Sequence, residues 1–176
     1  MKSWKQCYLK DLSRYGDAGP DKDVKKLLKY FRKCQFSTSK LSLFVNRFKF
    51  RNIKSKRGIE LFGKTNIGEG LYIGHAYNIT INDKVKLGKN CNIHKGVLIG
   101  QENRGKRCGV PTIGNEVWIG INACIVGKVT IGDDVLIAPN SFVNCDVPSH
   151  SVVFGNPCII KHKDNATEGY INNKVE

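Results

Sequence analysis

Residues 113–148, IGNEVWIGINACIVGKVTIGDDVLIAPNSFVNCDVP, divide into six units of six. Each unit leads with an aliphatic residue: Ile113, Ile119, Ile125, Ile131, Ile137 and Val143. The fifth position is small or β-branched throughout: Val117, Ala123, Val129, Val135, Ser141 and Val147. A six-residue unit has room for one short strand and one turn, so it cannot bury an apolar face alone. Three units make a triangular coil of about 18 residues. Stacked coils then bury ladders of like side chains while Gly, Asn and Asp hold the corners. The period predicts an all-β core: a parallel β-helix of about four to five triangular coils.

Upstream, the repeats begin near residue 59, and Leu61, Ile67 and Ile73 lead the first three hexads. Beyond them two registers compete. A strict comb leads with Ile79, Val85, Cys91 and Val97, and turns Asp83, Lys89 and Lys95 inward, which burial penalties oppose. Shifting by two leads with Ile81, Leu87, Ile93 and Ile99 and puts Val85, Cys91 and Val97 at the fifth position. The shifted register satisfies the burial constraint. It requires a two-residue bulge at about 78–80, just after His75. From Ile99 to Ile113 the step exceeds one hexad by eight residues, which assigns GQENRGKRCGVP (100–111) to an extruded polar loop. Loops on a rigid scaffold are where function concentrates.

Charge separates the chain into two parts. Residues 1–58 carry 17 Lys/Arg against 4 Asp/Glu, and residues 59–176 carry 12 against 11. A basic head on a nearly neutral body points to an acidic partner for the head. The head shows no nucleic-acid motif, so nucleic acid is set aside. Residues 1–20 lack periodicity and contain a turn at 15–20. Val24, Leu27, Leu28 and Phe31 fall at helical spacing and predict a helix over 22–34 capped by Asp21 or Asp23. A second helical or irregular stretch covers about 40–50, and 51–58 is a basic connector. These segments either cap the open end of the β-helix or lie on a membrane surface; the two are compatible. The division is a partly helical segment at 1–58, the β-helix domain at 59–160 and a tail at 161–176. Seven cysteines without zinc-ligand spacing, and the lack of an apolar run after Met1, place the chain in the cytoplasm, with contact at the inner membrane face through the head.

The hexads, together with GLYIGHAYNITIN (70–82), VPTIGNEVWIG and DVPSHSVVFGNPCIIK (146–161), resemble the left-handed hexapeptide-repeat acyltransferases. Within that family the likeness is to the serine acetyltransferase and capsular polysaccharide O-acetyltransferase subgroup, and it covers roughly 59–161. The left-handed winding comes from this resemblance; the general rule for crossovers is right-handed. The resemblance implies acetyl-CoA as donor, no metal, a homotrimer with sites between subunits, and His75 as the catalytic base. Acetyl transfer to an alcohol needs a base, and an imidazole titrating near neutrality suits the role. The family pairs this histidine with a carboxylate from the preceding coil, usually Asp, and Glu60 matches the position. It would fix the imidazole tautomer. In the family the pantetheine arm runs along coil corners, here Gly120-Ile121 and Ala138-Pro139. Lys161 at the coil exit is a candidate for the phosphates, and Arg107 for the acceptor region.

The remaining candidates are weaker. His94, beside Lys95, is expected to point outward. His150 in the final turn is expected to be structural or near the cofactor. Cys108 has no base near it in sequence. His75, His94 and His150 do not give the spacing of a zinc hydratase. Serine acetyltransferases often carry Asp where this chain has Gly74, have an Arg-His pair where Arg107 precedes Cys108, and have more than about 55 residues before the coils. A hydroxyl of a small or lipid-linked sugar in polysaccharide synthesis is therefore the expected acceptor. Serine is the first alternative, and a non-catalytic β-helix scaffold is the alternative from another class.

Overall fold

The computed structural model describes residues 3–176. All twelve inward positions of the 113–148 hexads are buried, Ser141 included. The body is a three-sided parallel β-helix. Its first face aligns Asn66–Ile67, Lys86–Leu87, Thr112–Ile113 and Thr130–Ile131. The second face aligns Tyr72–Gly74, Asn92–His94, Val117–Ile119, Val135–Ile137 and Ser151–Phe154, then closes with an antiparallel strand, Ile159–His162. The third face aligns Thr80–Ile81, Leu98–Gly100, Cys124–Val126 and Phe142–Val143. Each turn contributes one aliphatic rung per face, and each buried Val, Leu or Ile stabilises the fold by about 1.5–3 kcal/mol.

Strand register locates every interruption of the repeat. Ile73 pairs with Ile93, but Ile81 pairs with Ile99, so two extra residues lie between Gly74 and Thr80. Ile81, Leu87, Ile93 and Ile99 are buried with Val85, Cys91 and Val97, as the shifted comb requires. Ile99 pairs with Ile125, a span that includes the loop at 100–111. That loop is pinched by an antiparallel bridge from Glu102 to Gly109 around a 3₁₀ turn at Gly105–Arg107.

The head is three helices: α1 (Trp4–Ser13), α2 (Lys22–Gln35) and α3 (Lys40–Ser55). Asp21 caps α2 by accepting from the amides of Asp23 and Val24 at 2.8 and 2.9 Å. Val24, Leu27, Leu28 and Phe31 pack with Phe50, Ile59, Leu61 and Ile67 in one continuous core, so α2 plugs the open end of the β-helix. Helix α1 lies in the stretch read as lacking periodicity; it docks through Cys7, Tyr8 and Leu12 together with a buried charge. Its buried Asp11 receives Arg32 Nε and Nη2 at 2.7 and 2.8 Å and the Leu71 amide at 2.9 Å. Arg32 also donates to the carbonyls of Ile67 and Gly68, which leaves the buried pair fully hydrogen-bonded. Helix α3 runs on through most of the stretch read as a connector.

The tail folds back along the second face. Asp134 anchors it, accepting from the Ala166 amide and from the Thr167 amide and hydroxyl at 2.7–3.0 Å. Burial pushes the Asp134 carboxyl up, but hydrogen bonds from Thr167, His150 and Ala166 outweigh this and hold it below the usual range. Farther along, Asn92 donates to the Tyr170 carbonyl and Arg14 to that of Asn172. Thus the tail covers one of the three faces.

Candidate active site

His75 follows the second-face strand Tyr72–Gly74, at the point where the repeat breaks. Its φ is 51°, a left-handed conformation uncommon for a residue with a side chain, and its imidazole is exposed. The corner is held tightly. The Tyr77 amide donates to the His75 carbonyl at 2.7 Å, and the Asn78 amide donates to the Arg57 carbonyl at 2.9 Å. Asn78, also left-handed at φ 53°, completes the bulge. The preceding strand is fixed by Tyr15, whose hydroxyl accepts from the Ile73 amide at 2.8 Å and donates to the Ile73 carbonyl at 3.2 Å. Burial pushes the Tyr15 phenol well above its ordinary range, so it stays neutral.

A cavity of about 220 Å³ opens beside His75, lined among others by Tyr15, Asp21, Tyr72 and His94. His94 does not point away from it. The ring is half-buried, with Nδ1 2.9 Å from the Ile119 carbonyl oxygen, which makes Nδ1 the protonated nitrogen and leaves Nε2 an acceptor. Burial pushes the His94 imidazole down; the bond to Ile119 works against this and the proximity of His75 adds to it. Tyr72 and Trp118 flank the ring at centroid distances of 6.2 and 4.6 Å. The sequence signal that would have found His94 is register: it lies opposite Gly74, the residue before His75.

Two carboxylates stand near this corner. Asp21 lines the cavity and is held by Arg57 Nη2 at 3.1 Å; the Arg57 guanidinium also stacks 4.7 Å over the Tyr77 ring. Glu60 begins the third face of the preceding turn, opposite Thr80, with its backbone bonded to Ile79 and Ile81. Its carboxylate is exposed and lies close enough to act on the Lys54 ammonium. Among the described residues, no hydrogen bond or ion pair joins Glu60 to His75. Glu60 does lie on the preceding coil, as the resemblance implies, but within electrostatic reach of Lys54.

Register also defines an edge. Gly74 lies opposite His94, Ile93 opposite Ile119, Ile119 opposite Ile137 and Ile137 opposite Val153. The corners after these strands therefore stack: His75, Lys95, Gly120-Ile121, Ala138-Pro139, then Gly155. At about 4.8 Å per turn, Ala138 stands about 14 Å from His75 along one edge of the prism. Gly120 is required there, since a Cβ would sit 2.6 Å from the Pro139 nitrogen. The Ala138 amide is already spent on the Val153 carbonyl, and Ile121 is part-exposed. Lys161 follows at the exit, exposed, with Nζ 5.8 Å from the Phe154 ring centroid.

Arg107 is not on this edge. The 100–111 loop leaves the third face and re-enters on the first, whereas His75 stands between the second and third. Arg107 holds the Lys128 amide through its carbonyl and leaves its side chain exposed. His150 is structural: Nδ1 lies 2.9 Å from Asp134 Oδ2, beside the tail anchor. Cys108 is exposed on the loop. Among the described residues, no group of three His, Cys, Asp or Glu is placed to hold a metal, and no helix is long and apolar enough to cross a membrane.

Comparison with known proteins fits this geometry. Residues 111–145 match the family model described as bacterial transferase hexapeptide (six repeats). The chain's repeats are those of the left-handed β-helix hexapeptide-repeat transferases. Hexapeptide repeats of this kind fit the left-handed winding, which makes the handedness expected from resemblance a property of the fold. Within the family the chain is 35% identical over 107 residues to a serine acetyltransferase of Helicobacter pylori, covering 61% of this chain and 63% of that one. It is 34% identical over 141 residues to a serine acetyltransferase of Staphylococcus xylosus, covering 79% of this chain and 61% of the other. The soybean serine acetyltransferase apoenzyme superposes with a TM-score of 0.75 at 23% identity, over 90% of this chain and 69% of that structure, a likeness of fold. The chain spans about three fifths of the length of the two curated relatives.

Proposed function

We propose that this chain transfers an acetyl group from acetyl-CoA to an alcohol hydroxyl, with His75 as general base. The observation that carries the reading is the placement of His75. It is an exposed, left-handed imidazole at the break in the repeat, at the head of the edge formed by Gly120-Ile121 and Ala138-Pro139. Acetyl-CoA supplies the activated acetyl thioester. Lys161 at the end of the edge meets its phosphates, and the Gly120 and Ile121 corner borders its pantetheine arm. His75 removes the proton from the acceptor hydroxyl as the oxygen bonds to the acetyl carbon, and returns it to the departing sulfur as the thioester bond breaks. Glu60 orients the imidazole when its side chain swings from Lys54. His94 accepts a hydrogen bond from the acceptor through Nε2.

Serine is the acceptor that the relatives favour, since the two described above are serine acetyltransferases. This reverses the order reached from the sequence, where a sugar hydroxyl came first. Asp21, on the cavity beside His75, suits the ammonium group of an amino acid. One observation keeps the sugar reading as a second: Gly74 faces His94, so a neutral acceptor nitrogen fills the space where an Asp is often found.

The site is completed between copies of the chain. The outward side of the third face presents Leu98, Cys124 and Phe142 as part-exposed apolar groups next to the His75 edge, and the 100–111 loop projects away from its own His75. A cyclic trimer that packs these faces together brings one subunit's Arg107 toward another's edge. We place the enzyme in the cytoplasm. The direct test is an acetyl-CoA turnover screen of the purified chain against serine, simple sugars and nucleotide sugars. Turnover with serine alone is the expected result; turnover only with sugars favours the second reading, and none with any hydroxyl overturns both.

A further inference from the structure

Helix α3 is apolar on two opposite sides. One side buries Phe50 and half-buries Leu43 and Ile53 against the core. The other carries Leu41, Phe44, Val45 and Phe48, spaced i, i+3, i+4 and i+7, with Leu41 and Phe44 more than 70% exposed and Phe48 61% exposed. A helix that only capped the coil would show polar residues there, and contiguous exposed apolar groups of this size mark an interaction surface. Around the axis, Lys40, Arg47 and Arg51 flank the stripe on one side and Lys49 and Lys56 on the other. No Asp or Glu occurs from Val24 to Ile59. Beside it a cavity of about 500 Å³ has Phe50, Leu61 and Phe62 as its apolar floor and Arg47, Arg51, Lys54 and Lys64 as its rim.

The occupant must offer apolar depth and negative charge together. A second copy of α3 offers the first but sets Lys40, Arg47, Lys49 and Arg51 against their own kind, with no acidic residue on the helix to offset them. An anionic bilayer offers both. We propose that α3 lies in the plane of an anionic lipid surface. Leu41, Phe44, Val45 and Phe48 enter the acyl boundary, and the flanking cations, with the Arg47–Arg51–Lys54 rim, meet lipid phosphates. His75 ends the first full turn of the coil, next to the head, so docking holds the acceptor cavity near the membrane. The inference does not depend on the acetyl-transfer reading.

The test uses the full chain, because deleting the head would uncover Leu61 and Ile67. Sedimentation is measured with vesicles of phosphatidylcholine alone and with about one third phosphatidylglycerol, at about 0.15 M salt. The wild type is expected to partition at least tenfold more strongly onto the anionic vesicles, with roughly fivefold lost per cation removed in Arg47→Gln/Arg51→Gln. Phe44→Ser/Phe48→Ser is expected to lose partitioning roughly a hundredfold while circular dichroism and acetyl-CoA turnover with a soluble acceptor stay unchanged. Equal binding to both vesicle types, or a Phe44→Ser/Phe48→Ser variant that binds like wild type, overturns the proposal. If sedimentation velocity shows that this variant instead loses an oligomeric state, the stripe belongs to a contact between copies and the proposal likewise fails.

Discussion

Gly74 sits directly over His94: a Cβ at position 74 would lie 2.5 Å from the imidazole Cδ2 and 2.9 Å from Nε2. The absence of a side chain at Gly74 is therefore what admits His94 to the cavity next to His75. Gly74→Ala is expected to push the His94 ring off its bond to Ile119 and cost about 1–3 kcal/mol, as overpacking does. Thermal unfolding checks the stability, and KM for the acceptor should rise more than kcat falls. A variant with unaltered KM would remove His94 from the acceptor site.

The two carboxylates near the corner are expected to separate kinetically. Glu60→Gln should lower kcat by roughly tenfold or more, since it withdraws the group that orients the base. Asp21→Asn keeps a good helix cap, so α2 should remain intact. Its expected effect is a raised KM for serine with kcat little changed. Steady-state kinetics of both variants with serine decides the assignment. Should Asp21→Asn lower kcat while Glu60→Gln has no effect, the dyad is His75–Asp21.

His94 imposes a pH dependence on stability. Burial depresses its folded-state pKa below the unfolded value, so in the window between the two the unfolded chain binds more protons. Stability is then full above the unfolded pKa, about 6.5, and is lost as pH falls toward the depressed folded value. Burial and the proximity of His75 both favour the neutral ring, and the bond to Ile119 that opposes them does not reverse the sign; Tyr15, Tyr72, Arg14 and Asp21 are the other polar groups lining the cavities at the ring. Urea midpoints are expected to drop between about pH 7.5 and pH 5.5, and to drop less in His94→Asn. Parallel curves for the two proteins would contradict this.

The β-helix was legible because its ladders repeat identical chemistry at one spacing. Asp83, Lys89 and Lys95 located the bulge at His75 by refusing the inward position. Helix α2 announced itself through Val24, Leu27, Leu28 and Phe31. Helix α1 did not, since Asp11 and Arg14 dock it through buried polar bonds to Arg32, Leu71 and Asn92 that no hydrophobic period records. The tail was equally silent, its anchor being one carboxylate, Asp134, that meets Thr167 far along the chain. His94 was misjudged because the second hexad position usually faces solvent, whereas here the neighbouring rung is a glycine. Arg107, expected near the acceptor, leaves the prism at a different edge from the His75 of its own chain, a separation that chain order does not reveal.

The central claim is that His75 is the base, and the most direct measurement is acetyl-CoA turnover by His75→Ala with serine as acceptor. The side chain is exposed and carries none of the corner's backbone bonds, so the variant should fold and assemble like the wild type. The expected result is a loss of about 10²–10⁴ in kcat with an unchanged melting temperature. Turnover equal to that of the wild type in a folded His75→Ala protein would contradict the account.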